Sequence, residues 1–156
     1  MVHTNVLGPI YCVKAVLPTM RARGGGFIAN ISSVAGRLGQ PDEAVYSATK
    51  FAVTGLSEAL SHELLGIHVM TVYPALVRTE MFTPEAIARM PQSIQKMFME
   101  PPDFVHAVLR ALERGAFEVT LEGRVKLGYA LRLLWPGMYR RTVTRLRLPA
   151  LPHVSS

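Results

Sequence analysis

Several things are scarce in this chain, and each scarcity narrows what it can be. It has one cysteine, Cys12, so no internal disulfide can form, and a reducing, cytoplasmic setting is expected. No apolar run reaches the 18 or so residues needed to cross a bilayer. The N-terminus has no basic leader, and Lys14 and Pro18 interrupt its apolar stretch, so a secretory signal is not expected. The five histidines (His3, His62, His68, His106, His153) show no i, i+3 or i+4 pairing and have no cysteine partners, so no metal site is expected. Acidic residues stop at Glu122. Residues 1–122 hold ten Lys/Arg and eleven Asp/Glu, whereas residues 123–156 hold seven Lys/Arg and no acid. The net charge of +6 therefore belongs to the tail, and the body lacks the basic surface of a nucleic-acid-binding domain.

What remains is a globular chain of 156 residues, 49% apolar, long enough for one domain and without an internal repeat. Helix and strand patterns alternate along it. "VHTNVLGPIYCVKAVLPTMRAR" reads as a helix ending at Gly24-Gly25-Gly26, and "FIANIS" as a short strand ending in Ser32-Ser33. After a loop over 34–43, "AVYSATKFAVTGLSEALSHELLG" reads as a second long helix with Gly66 as its stop. "IHVMTVYP" is a buried strand closed by Pro74, residues 75–99 read as irregular with short helical pieces, "PDFVHAVLRALERG" is a third helix and "FEVTL" a third strand. This is the pattern of an α/β parallel sheet with crossover helices. Yet the pattern opens on a helix, with no strand before it. We divide the chain into a body, 1–122, and a basic C-terminal segment, 123–156.

One short stretch carries chemistry. In "YSATK", Tyr46 and Lys50 lie one helical turn apart and share a face. A phenol titrates near pH 10, and a neighbouring ammonium favours the phenolate, so Lys50 is expected to bring Tyr46 toward the range of a usable acid or base. Ser33, on the turn after a strand, offers a hydroxyl to the same substrate oxygen.

The surrounding motifs extend the pattern. "NISSVAG" places Ser33 thirteen residues before Tyr46, and "YSATKFAVTGLSEAL", "IHVMTVYPALVRTEM" and the Asn5 of "VHTNVLGPIY" follow the same family pattern. Together these resemble the short-chain dehydrogenase/reductase family from residue 1 to about residue 121. The resemblance implies the second half of a doubly wound, Rossmann-like parallel sheet, and an NAD- or NADP-dependent oxidoreductase that interconverts a ketone and a secondary alcohol. It implies four roles. Tyr46 exchanges the proton with the substrate oxygen. Lys50 tunes Tyr46 and binds the nicotinamide ribose. Ser33 orients the carbonyl, and Asn5 positions a relay water. Pro74, Val77 and Thr79, with Tyr46 and Lys50, match the cofactor-binding positions. Ser32 would replace Ser33 if the strand register slipped by one. The resemblance also implies a homodimer or homotetramer through helices 3–23 and 44–65.

The chain departs from the family pattern in two places. Pro74 is followed by Ala75 where the family usually has glycine. The glycine-rich phosphate loop is missing: "RGGGF" at 23–27 follows a helix and precedes a strand, the reverse of the fingerprint order. On the order of 90–100 residues of first half, including whatever selects NAD or NADP, have no counterpart here.

Other features admit two readings. Pro9 either frees the Asn5 carbonyl and kinks the helix or is a first-turn proline of a helix starting near Gly8. Met81, Met90, Met97 and Met99, with Phe82 and Phe98, form either an adaptable cover over a hydrophobic substrate or plain core. The tail either packs beside the substrate pocket, the reading we favour for 124–139, or lies weakly on an anionic membrane. Nucleic acid is not an expected partner. Instead of an enzyme, the chain could be a catalytically silent fragment or an interaction protein working through its two long helices.

Overall fold

The computed structural model describes residues 1–145; residues 146–156, the end of the basic segment, lie outside the described residues. A π-helical turn, His3–Leu7, runs without a break into α1, Gly8–Ala22. The Gly8 N–H bonds the His3 carbonyl, five residues back, which widens the turn. Pro9 then follows without an N–H of its own, so the Asn5 carbonyl cannot receive the usual bond from four residues on. The helix therefore does not start at Gly8, and the irregularity takes the form of a π-turn. The chain leaves α1 through Gly24, whose φ of 75° suits glycine, into β1, Gly26–Ile31.

A single 3-10 turn, Val34–Gly36, leads toward α2, Ala44–Glu63. Gly66, at φ 81°, turns the chain into β2, Ile67–Tyr73. The segment expected to be irregular contains β3 (Leu76–Val77), α3 (Pro84–Ala88), α4 (Gln92–Gln95) and β4 (Phe98–Met99), with β3 and β4 paired in parallel. Then come α5 (Pro101–Glu113), β5 (Glu118–Thr120), α6 (Gly123–Leu134) and α7 (Pro136–Arg145).

The main sheet is parallel, in the order β1-β2-β5, as the alternating pattern predicts. Its two faces have separate cores. On one face Ile28, Ile67 and Val69 pack with Val13 of α1 and Leu64, and with Leu17, Met20 and Leu60 around them. On the other, Met70, Val72 and Val119 pack with Ala111 and its α5 neighbours Phe104, Val108 and Leu112. Burying each large aliphatic side chain contributes about 1.5–3 kcal/mol relative to leaving it exposed. The central strand β2 is buried almost throughout, which explains its unbroken apolar run. Strand β1 is different. It has no neighbour on its outer edge among the described residues, and Phe27 and Ile31 are exposed on the face that α5 leaves uncovered.

Polar contacts tie α2 to β1. The Asn30 amide donates to Ser57 Oγ at 2.9 Å, and Ser57 Oγ donates to the Val53 carbonyl. Ser32 Oγ donates to the Lys50 carbonyl at 2.9 Å and meets Thr54 Oγ1 at 3.1 Å. Gly36 presses against the same spot: a Cβ there would lie 2.3 Å from Ser32 Oγ and 2.7 Å from the Lys50 carbonyl oxygen. Backbone cannot yield cheaply at such distances. Gly36→Ala is therefore expected to lower stability by about 1–3 kcal/mol, the usual cost of overpacking. Urea unfolding followed by circular dichroism checks this, and an unchanged midpoint would show that α2 does not sit this close.

Candidate active site

Three side chains converge at the C-terminal end of β1. Ser33 follows the strand in an extended conformation and caps the 3-10 turn, its Oγ accepting the Ala35 N–H at 3.2 Å. Strand alternation sends Ser32 the other way, into the α2 contact, where it is buried. Ser33 is therefore the serine on the Tyr46 side, close enough to act on the phenol's proton affinity. Tyr46 sits in the first turn of α2, and Lys50 lies one turn further along. The Lys50 ammonium donates to the Ile31 carbonyl at 3.1 Å and lies 5.7 Å from the centre of the Tyr46 ring.

Asn5 reaches the same helix. Its amide donates to Thr49 Oγ1 at 3.1 Å, and Thr49 in turn donates to the Tyr46 carbonyl at 2.7 Å. Pro74 closes β2 beside this group, its carbonyl accepting the Val34 N–H at 3.0 Å. Val77 belongs to β3, and the Thr79 carbonyl accepts the Phe82 N–H. A small pocket after β2 is lined by Ala75, Leu76, Val77, Met97 and Met99 together with Leu121 and Glu122, and by none of Asn5, Ser33, Tyr46 or Lys50. Of the four methionines in this region, Met97 and Met99 line the pocket, while Met81 lies in solvent. Phe82 and Phe98 meet edge to face at 5.1 Å. No cluster of metal-ligating side chains occurs among the described residues.

A profile of the short chain dehydrogenases matches residues 1–89. The chain belongs to the short-chain dehydrogenase/reductase family. It is 32% identical over 152 residues to dehydrogenase/reductase SDR family member 7B of Danio rerio, an alignment covering 92% of this chain and 49% of that protein. The fold is similar to that of a short chain dehydrogenase from Burkholderia cenocepacia, solved in complex with NADP, with a TM-score of 0.74 and 26% identity over 90% of this chain and 56% of that one. It is also similar to a bulky-bulky ketone specific alcohol dehydrogenase from Comamonas testosteroni, with a TM-score of 0.63 and 27% identity over 96% of this chain and 54% of that one. The chain spans about half the length of the curated relatives it matches.

The electrostatics correct one expectation. Burial holds the Tyr46 phenol above its ordinary range; the nearby Ser33 hydroxyl opposes this and the Glu43 carboxylate adds to it. Lys50 does not produce the lowering that one-turn spacing predicts, because its ammonium is drawn to the Ile31 carbonyl. Burial also pushes the Lys50 ammonium below its ordinary value.

Reasoning from the sequence missed Arg37. Its guanidinium lies 3.9 Å from the Tyr73 ring centre and 5.0 Å from that of Tyr129, and it pairs with Glu118. Arg132 of α6 donates to the Arg37 carbonyl and lies over Phe51. This cluster fastens α6 to the loop that separates Ser33 from Tyr46. Nothing local in the sequence points to it, since Glu118 is 81 residues away.

The donor set fits one end of a nicotinamide cofactor. Lys50 has three N–H donors, and the hydrogen bond to Ile31 accounts for one of them, leaving capacity for ribose hydroxyls. Among the described residues, the one glycine run does not serve the other end of the cofactor. Gly24–Gly26 lie at the start of β1, the end of the sheet away from Ser33, so they cannot cradle its phosphates.

Two outcomes follow from these environments. Ser32→Ala is expected to cost about 1–2 kcal/mol of stability and Ser33→Ala less, because only Ser32 is a buried link between strand and helix; equal losses by urea unfolding would contradict the assignment of the two serines. Tyr46, Tyr73 and Tyr139 are all held above their ordinary values by burial, so the folded chain keeps protons that the unfolded chain releases. Stability is then fully present below about pH 10, the unfolded tyrosine value, and is lost as pH rises above it. Urea midpoints measured across this range should fall on the alkaline side, and less steeply in Tyr46→Phe.

Proposed function

We propose that residues 1–122 are the catalytic half of an NAD- or NADP-dependent oxidoreductase that interconverts a ketone and a secondary alcohol, with 123–156 as a separate basic segment. The observation that carries this reading is the placement of Ser33 at the C-terminal end of β1, Tyr46 in the first turn of α2 and Lys50 on the next turn, its ammonium 5.7 Å from the Tyr46 ring centre and bonded to the Ile31 carbonyl. A bound nicotinamide would supply the hydride acceptor or donor. The protein's own groups handle the proton. Ser33 Oγ and the Tyr46 hydroxyl converge on one substrate oxygen. In carbonyl reduction Tyr46 gives its proton to that oxygen, and its raised pKa keeps the proton available at neutral pH. In alcohol oxidation Tyr46 must first lose that proton, so oxidation needs a more alkaline medium. Lys50 holds the ribose, and Asn5, through Thr49 and the freed carbonyl beside Pro9, sets a proton path behind Tyr46. Pro74, Val77 and Thr79 hold the nicotinamide ring.

The apolar residues Val77, Met97 and Met99 in the segment after β2 support a hydrophobic substrate, and the bulky-ketone specificity named for the Comamonas testosteroni enzyme agrees with that class. Exposed Tyr11 and Val45 on α1 and α2 support self-association through these helices, as a homodimer or homotetramer in the cytoplasm.

A second reading, a catalytically silent fragment, is favoured by the edge of β1, which is unpaired among the described residues. Calorimetry with NADH and NADPH separates the two. The chain of 156 residues is expected to bind neither at micromolar concentration, because its site holds only the nicotinamide end; micromolar affinity would overturn the division into halves. In a polypeptide that also carries the first half present in the relatives, Tyr46→Phe is expected to reduce turnover by at least about 100-fold, the scale of proton-transfer catalysis, with cofactor affinity nearly unchanged. Turnover retained in that variant removes Tyr46 from its role.

A further inference from the structure

The basic tail has two faces with different chemistry. The inner face of α6 is fully used: Tyr129 stacks on Arg37, Arg132 reaches the Arg37 carbonyl and Phe51, and Gly128 sits against Leu38. The outer face is apolar and bare. Leu127, Leu133 and Leu134 of α6, Trp135 at the turn, and Met138 of α7 are all more than half exposed, Leu127 at 73% and Trp135 at 59%. Around them Arg124, Lys126, Arg140, Arg141 and Arg145 are also exposed. No acidic residue lies anywhere in 123–156.

Apolar and aromatic side chains ringed by cations, without one carboxylate, match a surface that is apolar below and anionic above. We propose that the α6–α7 pair docks this protein onto an anionic lipid surface. Leu134, Trp135 and Met138 enter the interface, while Arg140, Arg141 and Arg145 meet the lipid headgroups. The helices lie on the membrane and do not cross it, since none of the described helices is long and apolar enough to span. Charge decides against a second copy of the chain as the occupant. A two-fold contact brings the same patch of each copy together, and here it would oppose five exposed cations to five others with no acid between them. Nucleic acid would meet the arginines but leave three exposed leucines in water.

Trp135 is the chain's one tryptophan, so its fluorescence reports this turn and not the exposed apolar residues of β1. The 156-residue chain is titrated with vesicles of phosphatidylcholine containing about a third phosphatidylglycerol, and separately with phosphatidylcholine alone. The expected result is a saturable blue shift with the anionic vesicles, little shift with the neutral ones, and loss of binding near 0.5 M salt, where the screening length is only a few ångströms. Arg140→Gln with Arg141→Gln should weaken binding on the order of 25-fold, from about fivefold per removed charge. Both side chains are exposed, and matching circular dichroism confirms that the variant is folded. Unchanged Trp135 emission with anionic vesicles, or binding indifferent to the double substitution, overturns the proposal. So does a blue shift produced by an oligonucleotide and not by vesicles.

Discussion

The polar seam between β1 and α2 is the constraint on which the rest of the molecule depends. Two contacts, Asn30 with Ser57 and Ser32 with Thr54 and the Lys50 carbonyl, join a strand running one way to a helix running the other. A single contact would let the helix pivot. Two of them, well separated along the helix axis, fix both its rotation and its height on the sheet. Tyr46 is then delivered to Ser33 and Lys50 to the end of β1 with no further adjustment. Gly36 keeps the seam closed, because a methyl group there would push the helix off the strand at the level of Lys50. The small polar residues of α2 matter as much as the groups they position, since a large side chain at 54 or 57 would move Tyr46 without touching it.

This close packing has an electrostatic cost. Burial disfavours the charged form of both groups: the Tyr46 phenol holds its proton more tightly and the Lys50 ammonium less tightly. The Ile31 carbonyl offsets part of the lysine's lost hydration. The nearby Ser33 hydroxyl partly offsets the effect on Tyr46. A site arranged in this way favours the neutral phenol, which is a proton donor, and a bare strand end with a half-buried ammonium is poorly suited to generating phenolate by itself. Charge arriving with a ligand would shift that balance more than any residue now in contact with Tyr46.

The parts of the molecule that were legible in the sequence share a physical cause. Parallel strands and crossover helices show as local periodicity, so β1, α2, β2, α5 and β5 could be read within a few residues. The Ser33, Tyr46 and Lys50 group was legible because two of its members sit one turn apart and the third ends a strand that the helix must cross. Even the seam left a trace, in Thr54 and Ser57 at helical spacing on one face of α2. The Arg37 cluster left none, because an arginine in a loop looks the same in sequence whether it faces water or a buried tyrosine. The direction of the Tyr46 shift was misread for a related reason. Sequence spacing gives the separation of two side chains along a helix but not which neighbour the ammonium prefers, and a strand carbonyl won. The π-turn before Pro9 was half legible: the lost hydrogen bond followed from proline chemistry, but the widening of the turn did not.

The sheet also explains why chemistry and cofactor are unequally served. Ligands of open parallel sheets bind across the C-terminal ends of the strands, and Ser33 and Pro74 stand at those ends of β1 and β2. Among the described residues, β1 is the last strand on its side of that crevice. The outer N–H and C=O groups of β1 and the exposed Phe27 and Ile31 have the character of a surface within a larger sheet. The apolar outer face of α6 and α7 has a different character, because it is bordered by cations with no acid in 123–156, which is the ground for the proposed lipid docking. Two uncovered apolar surfaces on one molecule are thus distinguished by their borders. One is edged by unpaired backbone, which only another strand satisfies well; the other is edged by arginines, which an anionic headgroup satisfies better than any backbone.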